Sequence, residues 1–441
     1  MNMSLRPKAA PSPVEMPPAP KSLADLGLPM ALMRDILIKT MYRQNLIRLD
    51  DIASSLSISA AQTQVLVSTA RDQRLIEITG SATESANDLS YQLTDAGKDR
   101  ARDALSQSEY FGALPVPLAV FEEQVKRQSI RNTNLKRSQL EACMSHLILP
   151  EGLLDQLGPA VRSGRSILLY GPPGNGKSSI SNGVRDAMGD QIYVPQAIEY
   201  SGQIIAFYDP LVHERINTQT ESKQELRKQR VSHDTRFLLC RRPAVVTGGE
   251  LTLSMLDLVY NSVSRTYQAP LQMKAAGGLF IVDDLGRQEE SPQALINRWI
   301  VPMEEGKDIL ALQSGEKFTV PFDTLVIFST NFHPNEIFDG AALRRIFYKI
   351  KINGPDQKDF LKIFALIARK KGLPLDEATL IYMLKEKYPS IKHVYANYQP
   401  GFLVDQIMSI CDYEGVDPQM NQKYMDRAWA NMFVKDEIIE R

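Results

Sequence analysis

"SILLYGPPGNGKS", residues 166–178, runs from an apolar stretch into a turn rich in glycine and proline and plants a lysine at its end. Ser166 to Tyr170 reads as a short buried strand, and from Ser179 onward glycine and proline give way to a helix-forming segment. Gly171, Pro172, Pro173, Gly174, Asn175, Gly176, Lys177 and Ser178, followed by Ser179, fit the pattern G-x-x-x-x-G-K-[ST]. Glycines let successive backbone N–H groups turn inward on an anion at a helix start, where the macrodipole also favours negative charge. In that geometry Lys177 reaches the β- and γ-phosphates of a nucleotide and the Ser178 hydroxyl ligates Mg²⁺. The competing reading is an ordinary glycine turn with an exposed lysine. Chance supplies the pattern in a chain of this length only about one or two times in a hundred, so ATP and Mg²⁺ are the expected cofactors.

Bulk composition narrows the class. At 441 residues the chain has room for two or three domains and a full core. Lys plus Arg is 51 against 52 for Asp plus Glu, a net charge of −1, so no overall basic field points to nucleic acid. Cys143, Cys240 and Cys411 are far apart and lack C-x-x-C spacing, which suggests neither a disulfide framework nor a zinc site and suits a reducing cytoplasm. The histidines, at 146, 213, 233, 333 and 393, are equally scattered. No apolar run approaches the length of a membrane span, and the N-terminus lacks the layout of a signal peptide. The expectation is a soluble, cytoplasmic protein without membrane insertion.

Residues 1–22 are proline-rich with few large apolar side chains, and read as a disordered or extended arm. Residues 23–108 change character. Leu32, Ile36 and Leu37 recur at helical spacing up to Gln44, "DDIASSL" makes a second helix, and "SAAQ" at 59–62 is a capping box for a third. "LIEIT" (75–79) and "LSYQLT" (89–94) then read as strands, with a charged helix from Asp95. Three helices and a two-stranded hairpin are the order of a winged helix. Over residues 21–110 ten Lys/Arg face twelve Asp/Glu, a net of −2, and the third helix offers Gln62, Thr63, Gln64 and Ser68 with only Arg71 basic. Phosphate contacts supply most DNA affinity, so this domain reads as a protein-docking module, with DNA as the alternative. Residues 109–148 form a linker in which "EEQVKRQSIRNTNLKRSQLEACMSHL" reads as a solvated helix.

A phosphate cradle needs metal ligands and a means of activating water. "GGLFIVDDLGR" supplies a strand, Leu279 to Val282, ending in Asp283 and Asp284, where a doubly wound sheet places its ligands. Asp283 then holds the Mg²⁺ shell and Asp284 orients or deprotonates water. The carboxylate pair is not required as a helix cap, because Ser291 followed by Pro292 caps the next helix better. "TLVIFSTN" (324–331) is a further strand, whose Asn331 is placed to hydrogen-bond water or the γ-phosphate.

These motifs together resemble an AAA+ ATPase over about residues 149–441. "GPPGNGKS" corresponds to Walker A, "LFIVDD" to Walker B, "STN" to sensor 1 and "AALRRIFYKI" to the arginine-finger segment. The resemblance implies an α/β fold: a P-loop core of parallel sheet flanked by helices at 149–353, an all-helical lid at 354–441, and the winged helix before them. It also implies a homo-oligomeric ring in which Arg344 or Arg345 is the finger; Arg345 is the favoured candidate, with Arg344 then supporting the interface, and the sequence alone does not choose between them. "KAAGGLFIVDD" and the hairpin-like "DILALQSGEKFTVP" (308–321) resemble the MoxR-type, magnesium chelatase and enhancer-binding activator groups. Three departures stand out. Asp284 replaces the family's usual Glu and is one methylene shorter, which implies slower water activation or a shifted backbone. Gly401 and Phe402 stand where a sensor-2 arginine is expected. An insert at about 195–243 contains an apparent hairpin, "IEYSGQIIAFYD", and a charged tract, "TESKQELRKQRVSHDTR", that reads as a solvated surface. The expected activity is ATP hydrolysis coupled to remodelling of a protein client, with the winged helix as adaptor. The alternatives are a DNA-directed regulatory or transposition-type ATPase and a nucleotide-gated scaffold with little turnover.

Overall fold

The computed structural model describes residues 14–81, 89–216 and 233–433. Residues 1–13 of the arm and most of the charged tract at 220–236 lie outside the described residues. The chain divides into two compact units: residues 1–133, 188–281 and 288–326 form one, and residues 134–187, 282–287 and 327–441 form the other.

In the first unit the helical spacing around Leu32 and Ile36 yields a helix at Met30–Gln44, which ends where Asn45 turns left-handed (φ 51°). A second helix spans Leu49–Leu56. The third, Ala60–Asp72, starts on the capping box read from the sequence, with Gln62 N donating to Ser59 Oγ at 3.3 Å and Ser59 N to Gln62 Oε1 at 3.0 Å. Strands Ile76–Ser81 and Leu89–Leu93 pair antiparallel with Ile78 opposite Tyr91, and helix Asp95–Gln107 follows. Leu26, Ile36, Leu37, Ile52, Leu56 and Leu66 are fully buried between these elements. Their cluster extends to Ala197 and Ile204, so the N-terminal helices share a core with residues far along the chain. Residues 14–22 of the proline-rich arm are held to the same unit. Gln124 Nε2 donates to Glu15 O (2.9 Å), Asp234 N to Pro17 O (3.0 Å) and Gln62 Nε2 to Pro20 O (3.0 Å).

The 109–148 linker, with residues 122–147 expected to form one solvated helix, is broken instead. Val116–Pro117 is a short strand, Leu118–Arg127 and Arg137–Met144 are separate helices, and Ile130–Asn132 is a 3₁₀ turn. Its apolar residues Phe121, Val125, Ile130, Leu140 and Met144 are each buried, and their burial outweighs the charged composition that suggested a solvated face. Val116–Pro117 closes a five-stranded sheet in the order Val259–Asn261, Thr266–Gln268, Gln203–Ala206, Ala197–Tyr200, Val116–Pro117. Two of these strands are the hairpin seen in "IEYSGQIIAFYD", joined by Ser201 and Gly202, both at positive φ as a tight two-residue turn requires. Lys307–Ala311 and Lys317–Pro321 form the third hairpin read from the sequence.

Buried polar groups fasten this unit. Arg236, 1% exposed, pairs with Asp234 (Nη2–Oδ2, 2.7 Å) and donates through Nη1 to the carbonyls of Leu26 (3.2 Å) and Pro115 (3.0 Å). His213, also 1% exposed, accepts from Asp209 N at Nδ1 (3.0 Å). Its Nε2 therefore carries the hydrogen that meets Lys274 O at 2.9 Å, which fixes the neutral tautomer.

The α/β sheet consists of β1 (Ile167–Tyr170), β2 (Ala244–Thr247), β3 (Leu279–Val282), β4 (Leu325–Thr330) and β5 (Tyr348–Lys351), hydrogen-bonded in the order β5-β1-β4-β3-β2. Strand β1 runs parallel to both neighbours, with Ile167 opposite Ile327 on one side and Tyr348 on the other. β3 and β4 are buried along their whole length, as in a sheet covered by helices on both faces. The unit boundary falls inside these two strands. The flanking helices that matter below are α1 (Lys177–Ala187), α2 (Pro292–Glu305), α3 (Gly340–Arg345) and α4 (Tyr398–Glu414). Ser291 caps α2 by accepting from Ala294 N at 3.2 Å, which leaves the carboxylate pair unused as a cap. The C-terminal region is helical, with Gln357–Lys371, Glu377–Tyr382, α4 and Gln422–Met432 packed around Phe360, Phe364, Tyr388, Leu403, Ile407 and Met425. Among the described residues no helix is long and apolar enough to cross a membrane.

Candidate functional site: the loop after β1

The loop between β1 and α1 takes its shape from glycine. Gly171 (φ 140°), Gly174 (φ 73°) and Gly176 (φ 85°) occupy backbone regions that side chains disfavour. A Cβ on Gly171 would lie 2.2 Å from Ile352 O, and one on Gly174 would lie 2.3 Å from Tyr398 Cδ1. Lys177, only 6% exposed, turns its ammonium back into this loop and donates to Gly171 O (2.8 Å), Pro172 O (3.0 Å) and Asn331 Oδ1 (2.7 Å). Burial pushes its pKa down, while the nearby Asp284 and Asp283 carboxylates oppose that shift. Ser178 and Ser179 are exposed at the start of α1.

The adjacent ends of β3 and β4 carry the acids. Asp283 Oδ1 accepts from Ser329 Oγ at 2.6 Å and from Asp284 N at 3.1 Å. Asp284 turns left-handed (φ 54°), and its Oδ1 accepts from Asn331 Nδ2 at 2.7 Å. Arg287 Nε stands 3.8 Å from Asp284 Oδ2. The Asn331 carboxamide is thus a bridge, with its oxygen on the Lys177 ammonium and its nitrogen on the Asp284 carboxylate, the only orientation that satisfies both. Thr330 Oγ1 donates to Leu285 O at 2.7 Å and pins the turn after the acids.

The fold therefore brings the 171–179 loop, Asp283, Asp284 and Asn331 together from three separate stretches of sequence. Arg344 and Arg345 end α3. Arg344 is exposed, whereas Arg345 is half-buried and donates from Nη1 to Ala341 O of its own helix at 2.9 Å. Ser329, Asn397 and Tyr398 were not singled out from the sequence. Asn397 N donates to Asn175 Oδ1 (3.2 Å), Asn397 Nδ2 to Asn175 O (3.0 Å) and Tyr398 N to Gly174 O (3.0 Å). Uncharged residues whose partners lie on distant segments leave no compositional signal.

Among the described residues no group of three or more His, Cys, Asp or Glu gathers to hold a metal unaided. Mg²⁺ does not require one, since it keeps several waters and binds through one or two carboxylates plus phosphate oxygens. The Ser178 hydroxyl and the Asp283 carboxylate fit that donor set.

A family model described as a domain of unknown function (DUF8689) matches residues 356–431. No curated protein matches the chain. Among solved structures, NtrX from Brucella abortus is similar at 11% identity with a TM-score of 0.35, over 77% of this chain and 61% of NtrX, less than two thirds of the latter's length. A RuvB mutant from Thermotoga maritima is similar at 11% identity and a TM-score of 0.35, over 71% of this chain and 76% of its own. The complex between subunits BchI and BchD of magnesium chelatase gives 14% identity and a TM-score of 0.34, over 65% of this chain and 92% of the other.

Proposed function

We propose that this protein binds ATP with Mg²⁺ at Gly171–Ser179 and hydrolyses it as an AAA+ ATPase that remodels a protein client. The observation that carries the reading is the Lys177–Asn331–Asp284 relay, which joins the loop lysine to a carboxylate at the end of β3 through 2.7 Å bonds. Phosphoryl transfer to water asks a protein mainly for positioning and charge neutralisation. Lys177 exchanges its loop carbonyls for β- and γ-phosphate oxygens, and the N–H groups of the glycine loop hold the remaining ones. Ser178 and Asp283 would hold Mg²⁺, which would supply charge neutralisation for the phosphate oxygens. Asp284 orients and deprotonates the attacking water, with Asn331 fixing its carboxylate. Arg344 or Arg345 reaches the nucleotide of a neighbouring subunit in a homo-oligomeric ring. The three-helix and hairpin segment of residues 23–108 serves as a winged-helix adaptor for the client in the cytoplasm. Its third helix favours protein over DNA as the partner, because Gln62 and Thr63 are buried and Gln62 already bonds Pro20 O and Ser22 O.

Lys177→Ala tests the core of this reading. The variant should lose ATP binding in a calorimetric titration by at least about 10²-fold while keeping its helical circular dichroism, because the change removes a charge on the phosphates and no apolar core contact. Binding equal to the parent's rejects the nucleotide site. A second reading, a nucleotide-gated scaffold with little turnover, is favoured by Asp284 itself, whose short carboxylate is already bonded to Asn331. Steady-state phosphate release separates the two.

A further inference from the structure

The proposed ATP site is touched by two uncharged residues of the C-terminal helical region. Asn397 and Tyr398, at the start of α4 in the C-terminal helical region, bond the glycine loop at Gly174 and Asn175 by the three hydrogen bonds given above, two of them to loop carbonyls. The loop residue is fixed from its other side as well, since Asn175 Nδ2 donates to Pro172 O at 3.3 Å. The Tyr398 ring fills the space where a Cβ on Gly174 would stand. Asn175 is 3% exposed and the Asn397 Oδ1 atom is buried, so both asparagines are constrained. These three bonds meet the loop two and three residues before Lys177, two on backbone carbonyls and one on the Asn175 side-chain oxygen, and none of them is an ion pair.

Resting on the nucleotide reading above, we propose that Asn397 and Tyr398 are positioning residues of the glycine loop. They hold the Gly174–Asn175 turn in the shape that points its N–H groups at phosphate, and they do so without reading the third phosphate. A cationic side chain aimed at the γ-phosphate contributes binding energy that ATP has and ADP lacks. A hydrogen-bonded brace on the loop contributes equally to every nucleotide that uses the loop. The helical region in this chain therefore sets the affinity for the diphosphate that ATP and ADP share, and leaves their ratio alone. Gly401 and Phe402, one helical turn further on, agree with that division because neither offers a cation.

The experiment titrates Mg-ATP and Mg-ADP into the full chain and into Asn397→Ala, and follows steady-state hydrolysis of each. Removing the side-chain amide leaves the Asn175 carbonyl without its donor. Both nucleotides should then bind about tenfold more weakly, the size of effect expected for an unsatisfied buried acceptor. KM should rise by a similar factor with kcat changed less than about threefold, as uniform binding predicts. Calorimetry counts only folded, binding-competent protein, and Tyr398→Ala, which spares both Asn397 bonds, gives a second perturbation with the same expectation should Asn397→Ala fold poorly. Loss confined to ATP with ADP unchanged overturns the proposal, because it means the α4 start reads the γ-phosphate. Unchanged affinity for both in the two variants overturns it too. A parent chain that binds neither nucleotide rejects the ATP site itself, a failure visible before any variant is made.

Discussion

Asp284 combines a left-handed backbone with a carboxylate that Asn331 meets at 2.7 Å. Aspartate is among the few side chains that visit this region, because its short polar group can bond locally. The turn separates the two acids in role: Asp283 bonds Ser329 at the end of β4, while Asp284 bonds the residue that bridges to Lys177. Asp284→Asn should keep ATP affinity within about threefold and slow hydrolysis by about 10²-fold or more, the range lost with a general base. Asp283→Asn should instead raise the Mg²⁺ concentration needed for half-maximal binding by about tenfold. Parallel Mg²⁺ titrations of the two variants check the assignment, and indistinguishable curves would mean that the pair has been divided wrongly. The sequence made most of this legible, since glycine spacing, a carboxylate pair after an apolar run and an asparagine at a strand end are local patterns with a physical cause. The left-handed turn at Asp284 and the hydroxyl of Ser329 were not legible, because each depends on a neighbour 45 or more residues away.

At the scale of elements, two buried polar devices carry measurable energy. His213 is stacked against Phe207 and Tyr208 and sits beside the Lys274–Asp209 ion pair. Burial pulls its pKa down to about 4, and the Lys274 carbonyl and Asp209 only partly offset this. The folded-state value lies below the unfolded value of 6.5, so the unfolded chain takes up more protons between the two. Stability from this residue is then fully present above pH 6.5, is lost as pH falls from 6.5 towards 4, and amounts to about 3 kcal/mol at most. Urea melts from pH 8 to 4 should show that loss, and His213→Gln should flatten it. Arg236→Ala should cost about 3–5 kcal/mol in the same assay, because it leaves Asp234 charged, buried and unpaired. The three N-terminal helices, the three hairpins and the cap of α2 followed from periodicity and turn chemistry. Val116–Pro117 did not, because a two-residue strand is defined only by its partner, Ala197–Tyr200, some 80 residues later. The linker misled for a related reason: its charge pattern is plain in the sequence, while the core that takes up Phe121 and Val125 comes from other segments.

For the whole molecule, the ring reading makes turnover a property of the assembly. A guanidinium supplied by a neighbour is worth about 10³ to 10⁵ in rate in other phosphoryl-transfer systems. Arg345→Ala and Arg344→Ala should each retain ATP binding, and the one that removes the finger should lose hydrolysis. Mixing that variant with Lys177→Ala subunits should restore part of the activity to two inactive preparations, since one partner keeps the loop and the other keeps the arginine. Arg345 is the finger of the sequence reading, and the greater exposure of Arg344 makes the paired comparison necessary. Parent-level activity in both arginine variants, or a specific activity independent of protein concentration in a proven monomer, would remove the trans contribution.

The division of the chain into two compact units, drawn from six alternating segments, also bears on synthesis. One unit draws on residues up to 326, so it cannot close until residue 326 has left the ribosome. At roughly 5–20 residues per second that is a wait of some tens of seconds, with Leu26, Ile36 and Leu37 made early and their partners Ala197 and Ile204 still to come. During that interval the nascent N-terminal helices expose the face they later bury. Newly made chains should therefore depend on general chaperones to a degree that finished, refolded protein does not, and pulse-labelled protein in chaperone-depleted lysate should aggregate before residue 326 is reached.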